Sequence, residues 1–226
     1  MSEPVGERTL RRWAEALAGI AQTGLAFSES QYERERFDEV LKIAGDIKHV
    51  ADEGDGPDAH VEEWYSHILP GRRGYATPKL AVGAAVTNDK GELLLIQRAD
   101  SGVWLYPTGY CDIGYSAVEV CVKEVEEETG IQVEPVRLLG ILDTLRHGTS
   151  RMALYSMLFF CRQTGGDFDL HPLECSDAGW FTPDNLPGPI FGLERWGGPV
   201  FAALAGEVHP PFYDDLRDPV WRGGMS

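Results

Sequence analysis

The chain predicts an α/β protein: an α/β/α sandwich around a mixed sheet, preceded by a small all-helical segment. Three observations carry that prediction. Apolar residues recur at helical spacing early in the chain. From Lys79 onward the period changes to strand-like runs. One well-capped helix sits among those runs, and a second follows late.

The elements follow in order. Leu10, Trp13, Leu17 and Ile20 repeat at helical intervals and predict a helix with one apolar face, ended at Gly24. Ser30 and Glu33 form a capping box, and Phe37, Val40, Leu41, Ala44 and Ile47 continue a second amphipathic helix. Residues 52–59 read as an acidic linker bearing Gly and Pro, and Val61–Leu69 as a short helix. Helices of this size bury too little surface alone, so they pack on the main domain or on a second copy of themselves. The second option predicts a homodimer.

Leu80–Thr87 reads as an apolar strand, Asn88-Asp89-Lys90-Gly91 as a turn, and Glu92–Arg98 as a second strand. Trp104-Leu105-Tyr106 leads into a loop from Pro107 to Gly114, whose glycines permit close backbone approach to a ligand. Ser116 with Glu119 is a capping box that starts a helix near Ala117, and Gly130 supplies the left-handed residue past its end. Val118, Cys121, Val122 and Val125 are its predicted apolar stripe. Val136–Leu145, Leu154–Arg162 and Ala178–Phe181 read as strands, and Leu193–Leu204 as a helix. The expected domains are residues 1–70 and 71–226.

Off the apolar stripe of the central helix lie Glu124, Glu127 and Glu128, at spacing that sets three carboxylates on one side within about one turn. Such a run is ordinarily a solvated face. Like charges this close repel unless a cation neutralises them, and hard divalent cations such as Mg²⁺ take oxygen ligands of this kind, bridging a substrate phosphate. A glycine loop running into a helix start can also cradle phosphate.

Residues 109–131 resemble the Nudix box, the loop–helix–loop signature of Nudix hydrolases. Gly109 opens it, Glu124-Val125 and Glu127-Glu128 fill its acidic positions, and Gly130-Ile131 close it. Two positions depart: Tyr115 stands where a Glu is expected and Lys123 where an Arg is expected. Lys lacks the two-pronged contact Arg makes with a carboxylate. A Nudix subgroup similar to bacterial CDP-choline pyrophosphatases carries Tyr and Lys there, and precedes the hydrolase domain with helices. Trp13, residues 20–25 and 32–37, Thr77-Pro78-Lys79 and residues 120–130 carry that resemblance. Ala81 and Gly83 stand where that subgroup commonly has charged side chains, and Thr108 replaces a Gly of the usual pair.

The resemblance implies a metal-dependent pyrophosphohydrolase that cleaves a nucleoside diphosphate linked to another moiety, CDP-choline, ADP-ribose or similar, into a nucleoside monophosphate and a phosphorylated remainder. Mg²⁺ or Mn²⁺ is the implied cofactor, held by Glu124, Glu127 and Glu128 with the backbone carbonyl of Thr108. Glu174 completes the metal shell or acts as general base, with Glu127 as the alternative base. Lys123 holds the carboxylates in register. Gly109 brings backbone to the substrate. Arg98 is a candidate phosphate contact, as are Arg146 and Arg151. Trp104 and Tyr106 stack on a nucleobase or belong to the core. The alternative function is a catalytically weak Nudix domain that senses a nucleotide metabolite.

Composition bounds the partners. Net charge is −16, which argues against nucleic acid or an anionic membrane as a standing partner. A small anionic substrate is compatible, because bound metal inverts the local sign. Apolar content of 43% suffices for a full core. Cys111, Cys121, Cys161 and Cys175 form no C-x-x-C pair and read as reduced thiols. With no secretory or membrane-spanning apolar run, the expectation is a cytoplasmic enzyme.

Overall fold

The computed structural model describes residues 6–52, 56–68 and 75–216. Its contacts divide the chain into two compact units, Met1–Lys79 with Thr144–Leu154, and Leu80–Asp143 with Tyr155–Ser226. The expected boundary at residues 70 and 71 lies outside the described residues.

The first unit contains α1 (Glu7–Phe27), α2 (Gln31–Ala51) and α3 (Pro57–Ser66). The buried face of α1 is Ala14, Ala18, Ala21 and Leu25, packed against Leu41, Ala44 and Trp64. Small residues let the helices approach closely, so this face differs from the expected one, and Ile20 is 60% exposed. Gly24 does not end α1, which runs on to Phe27. A Cβ at Gly24 would overlap the Phe37 ring, so this glycine opens the notch that Phe37 fills. Ser30 does precede α2, but its side chain makes no cap bond. Glu33 instead accepts from Ser28 Oγ at 2.6 Å. Pro57 occupies the first turn of α3, where its missing N–H costs nothing, so residues 57–59 are helix and not linker. Glu53–Asp55 and Leu69 lie outside the described residues. A short helix, α4 (Thr144–His147), also belongs to this unit.

The second unit is built on seven strands: β1 (Lys79–Thr87), β2 (Leu93–Arg98), β3 (Trp104–Leu105), β4 (Thr108–Tyr110), β5 (Gln132–Asp143), β6 (Leu154–Gly165) and β7 (Cys175–Phe181). They form a mixed sheet of order β3-β2-β1-β6-β5, with β4 beside β1 and β7 beside β2. Two helices complete it, the box helix Ala117–Thr129 and the late helix Leu193–Leu204. The box helix packs Val120, Cys121 and Val125 on Val82, Ala84, Val86, Leu94, Phe159 and Cys161. The late helix packs Trp196, Val200 and Ala203 on Ala85, Leu93, Leu95, Leu158 and Phe160. Odd and even strand positions thus serve opposite faces, the alternation of a sandwich.

Three expectations change. The buried face of the box helix is centred on Val120, Cys121 and Val125, while Val118 is 43% exposed. Thr108–Tyr110 is a strand rather than loop, paired with Ala81–Gly83. Three residues are too few to show a period. β5 starts at Gln132, earlier than expected, and tolerates Pro135 because it lies at the sheet edge with a register shift there.

Candidate active site

β4 is the platform. Thr108 Oγ1 donates to the Val82 carbonyl at 2.6 Å, and the Ala84 N–H donates to Pro107, so the strand is fixed against β1. The box helix then docks two carboxylates on it. Glu128 Oε2 accepts the Thr108 N–H at 3.0 Å and is 5% exposed. Glu124 lies so close to Gly109 that a Cβ there would overlap its carboxyl group. Glycine at 109 therefore makes room for an acid. The helix is held at this height by its capping box, with Ser116 N donating to Glu119 Oε2 at 2.6 Å, and by Gly130 at φ 76°.

The loop carrying Glu174 is tied to the same helix end. The Asp169 N–H donates to Thr129 at 2.9 Å, and the His171 N–H to the Glu128 carbonyl at 3.1 Å. Glu174 closes that turn through His171 and accepts the Ala99 N–H at 2.8 Å. His171 Nδ1 stands 3.8 Å from Glu174 Oε2.

Electrostatics register the crowding. The Glu128 carboxyl is pushed up to about 8, first by burial, with Glu124 and Glu174 adding and the Thr108 N–H and Arg98 opposing. Glu124 is also raised, first by burial, with Glu127, Glu174 and Asp112 adding and Lys123 opposing. Holding these acids together disfavours their ionised forms, a condition that a divalent cation relieves. The donor set suits a hard cation: carboxylates on one side and a glycine cradle beneath.

The convergence is partial. Among the described residues no group of three or more His, Cys, Asp or Glu stands gathered about one point. Glu127 is turned to Lys123, whose Nζ lies 3.1 Å from Glu127 Oε2 and donates to Asp112 Oδ2 at 3.0 Å. Those two contacts raise the Lys123 pKa. An open groove of about 560 Å³ runs along this side of the helix, lined by Tyr115, Val118, Val122, Lys123, Glu126 and Glu127.

Other expected residues fall as follows. Arg98, at the end of β2, makes a two-pronged contact with Asp100 at 2.9 and 2.5 Å, and its charge acts on Glu128. Trp104 and Tyr106 are core residues and not nucleobase platforms. Trp104 packs edge-on against Phe181 and Tyr106 against Trp196, at 5.3 and 5.1 Å between centroids. Tyr106 fills the space that Gly83 leaves, and burial pushes its phenol up to about 12. Arg146 and Arg151 belong to the unit of α1–α3. Two participants escaped the sequence reading, Asp112 and Asp100. Neither sits in a periodic pattern; only Asp100, two residues from Arg98, carried a local hint.

Comparison with known proteins supplies context for this geometry. Residues 77–204 match the NUDIX domain, and residues 8–65 match a UDP-X-like, N-terminal oligomerisation domain. YjhB of Bacillus subtilis (strain 168), provisionally named an ADP-ribose pyrophosphatase, is 35% identical over 77% of this chain and 81% of its own length. A solved UDP-X diphosphatase superposes with a TM-score of 0.54 at 25% identity, covering 89% of this chain and 97% of that one. An ADP-ribose pyrophosphatase from Streptococcus suis 89-1591 superposes with a TM-score of 0.50 at 33% identity, over 60% of this chain and 97% of its own.

Proposed function

The chain belongs to the Nudix hydrolase family, and on that premise we propose that it cleaves a nucleoside diphosphate joined to a second moiety X, yielding a nucleoside monophosphate and X-phosphate. The observation that carries this reading is the buried Glu128 carboxylate on the Thr108 N–H, with Glu124 seated on Gly109 one helical turn away. The names of the similar proteins favour an ADP-ribose or UDP-linked substrate, and CDP-choline remains in the class.

Glu124, Glu127 and Glu128 would hold Mg²⁺ or Mn²⁺, with the Thr108 carbonyl as a further oxygen. When bound, the cation neutralises the diphosphate and lowers the pKa of a water. Glu174, or Glu127 in its place, takes the proton from the attacking water. Lys123 keeps the carboxylates in register, and Arg98 contacts phosphate. Gly109 lets the β4 backbone approach the substrate. The α1–α3 unit pairs two copies into a homodimer, consistent with its match to an oligomerisation domain and with exposed Ile20, Ile43 and Val50. Four free thiols suit the cytoplasm.

The test is release of phosphomonoester from CDP-choline, ADP-ribose, NADH and UDP-sugars with Mg²⁺ or Mn²⁺. Metal-dependent turnover of at least one is expected. No turnover across that panel, together with no metal uptake by calorimetry in the presence of nucleotide, would sink the reading.

A further inference from the structure

Asp112 lies in the loop between β4 and the box helix, outside every position that the acidic pattern singled out. The loop around it is anchored. The Cys111 N–H donates to Leu80 at 3.0 Å, the Tyr115 N–H to the Asp112 carbonyl at 3.4 Å, and the capping box at Ser116 holds the far end. The Asp112 backbone is therefore held between the sheet at Leu80 and the start of the box helix, which places its carboxylate beside Lys123.

Lys123 Nζ is shared. It donates to Asp112 Oδ2 at 3.0 Å and lies 3.1 Å from Glu127 Oε2. Side-chain exposure is 32% for Lys123, 51% for Asp112 and 56% for Glu127, so these pairs contribute little to folding stability. Their weight falls on Glu127. A Lys four residues before a Glu on one helix pairs with it in any case. A divalent cation that takes Glu127 through Oε2 competes with that ammonium for the same oxygen. Lys123 is a point charge on a flexible stem, and the anchored Asp112 gives it somewhere to go.

We propose that Asp112 is a positioning residue that draws Lys123 off Glu127 and so sets how readily Glu127 is released to a divalent cation. The inference rests on the reading of Glu127 as a metal ligand. With Asp112 neutralised, Lys123 closes on Glu127 alone, and cation and ammonium compete directly for one carboxylate.

The experiment is calorimetric Mn²⁺ binding to the full-length protein, compared among wild type, Asp112→Asn, Asp112→Glu, Lys123→Gln and the Asp112→Asn/Lys123→Gln double variant. Asp112→Asn should bind Mn²⁺ about fivefold more weakly, the scale of an exposed ion pair. The Mn²⁺ concentration for half-maximal turnover should rise by a similar factor. Asp112→Glu should restore wild-type binding to within about twofold. In the Lys123→Gln background the Asp112→Asn change should have no further effect, which separates a path through Lys123 from simple loss of a nearby negative charge. Unchanged or tighter binding by Asp112→Asn overturns the proposal, as does an equal loss in both backgrounds. Wild-type protein that takes up no Mn²⁺ would instead remove the metal-ligand reading on which the proposal stands.

Discussion

Two regions of the molecule bury charge on helices, and they treat it in opposite ways. In the α1–α3 unit, Lys48 is 3% exposed and meets Glu15 at 2.6 Å, with the Trp64 ring 5.1 Å away. Asp52 on the same unit pairs with Arg11. Each buried charge there has an opposite charge in contact. On the box helix, Glu128 is as deeply buried, yet it accepts one backbone N–H and, among the described residues, makes no ion pair, and the fields of Glu124 and Glu174 act on it against that of Arg98. A fold closes its electrostatic accounts where a charge is structural. On the box helix like charges are left facing one another, which is what the proposed cation site would require.

That contrast can be broken from the structural side first. Lys48→Ala leaves Glu15 without its counter-ion in a buried setting and should cost about 3–5 kcal/mol, read as a lowered denaturation midpoint. Glu128→Gln should do the reverse, holding or raising the stability of the metal-free protein because a disfavoured charge disappears. Its turnover should nonetheless fall more than about a hundredfold, as should that of Glu127→Gln with folding intact. Full activity in either variant would remove that residue from the metal site.

Gly109→Ala comes next. A methyl group would push Glu124 off β4, and turnover at limiting Mn²⁺ should drop about tenfold or more. A wild-type metal response would show the cradle to be irrelevant.

The pH dependence sharpens the contrast further. The folded-state pKa of Glu128 is raised to about 8 from an ordinary 4.5, so the unfolded chain loses this proton first. The stability it contributes is full below about 4.5 and is lost as pH rises through about 8. Thermal melts of the metal-free protein should therefore weaken across that window, and Glu128→Gln should flatten the trend.

The smallest expected effect is at position 115. Tyr115 is 56% exposed at the groove beside Glu127, so Tyr115→Glu adds a carboxylate there and should alter the Mg²⁺ to Mn²⁺ activity ratio by about a fewfold. An unaltered ratio and rate would mark the position as peripheral.

Short-range rules made much of this legible. The capping box at Ser116, the left-handed Gly130 and the bounds of the late helix Leu193–Leu204 depend on neighbours within a few residues, and all appear where the sequence placed them. So does the three-layer arrangement, read from strand runs around one capped helix with a second helix late; the unbroken apolar runs Val82–Val86 and Leu93–Leu95 then serve both faces. Local rules fell short for one reason. Gly24 looked like a helix stop, but Phe37 from the next helix decides its meaning. Trp104 and Tyr106 left stacking and core both open by local rules, and Phe181 and Trp196, far along the chain, decide for the core.

The order of acids along one helical turn, and hence the chemistry this protein can attempt, was written in local spacing, since a helix presents its residues by geometry that no distant contact alters. Which of those acids is buried, which is clasped, and by what, came only from strands and loops brought together by folding. Glu128 owes its depth to Thr108, Glu124 its seat to Gly109, and Glu127 its tether to a lysine shared with Asp112. Periodicity carries no record of such meetings, because they join residues separated by a turn, a strand or a whole layer of the sheet.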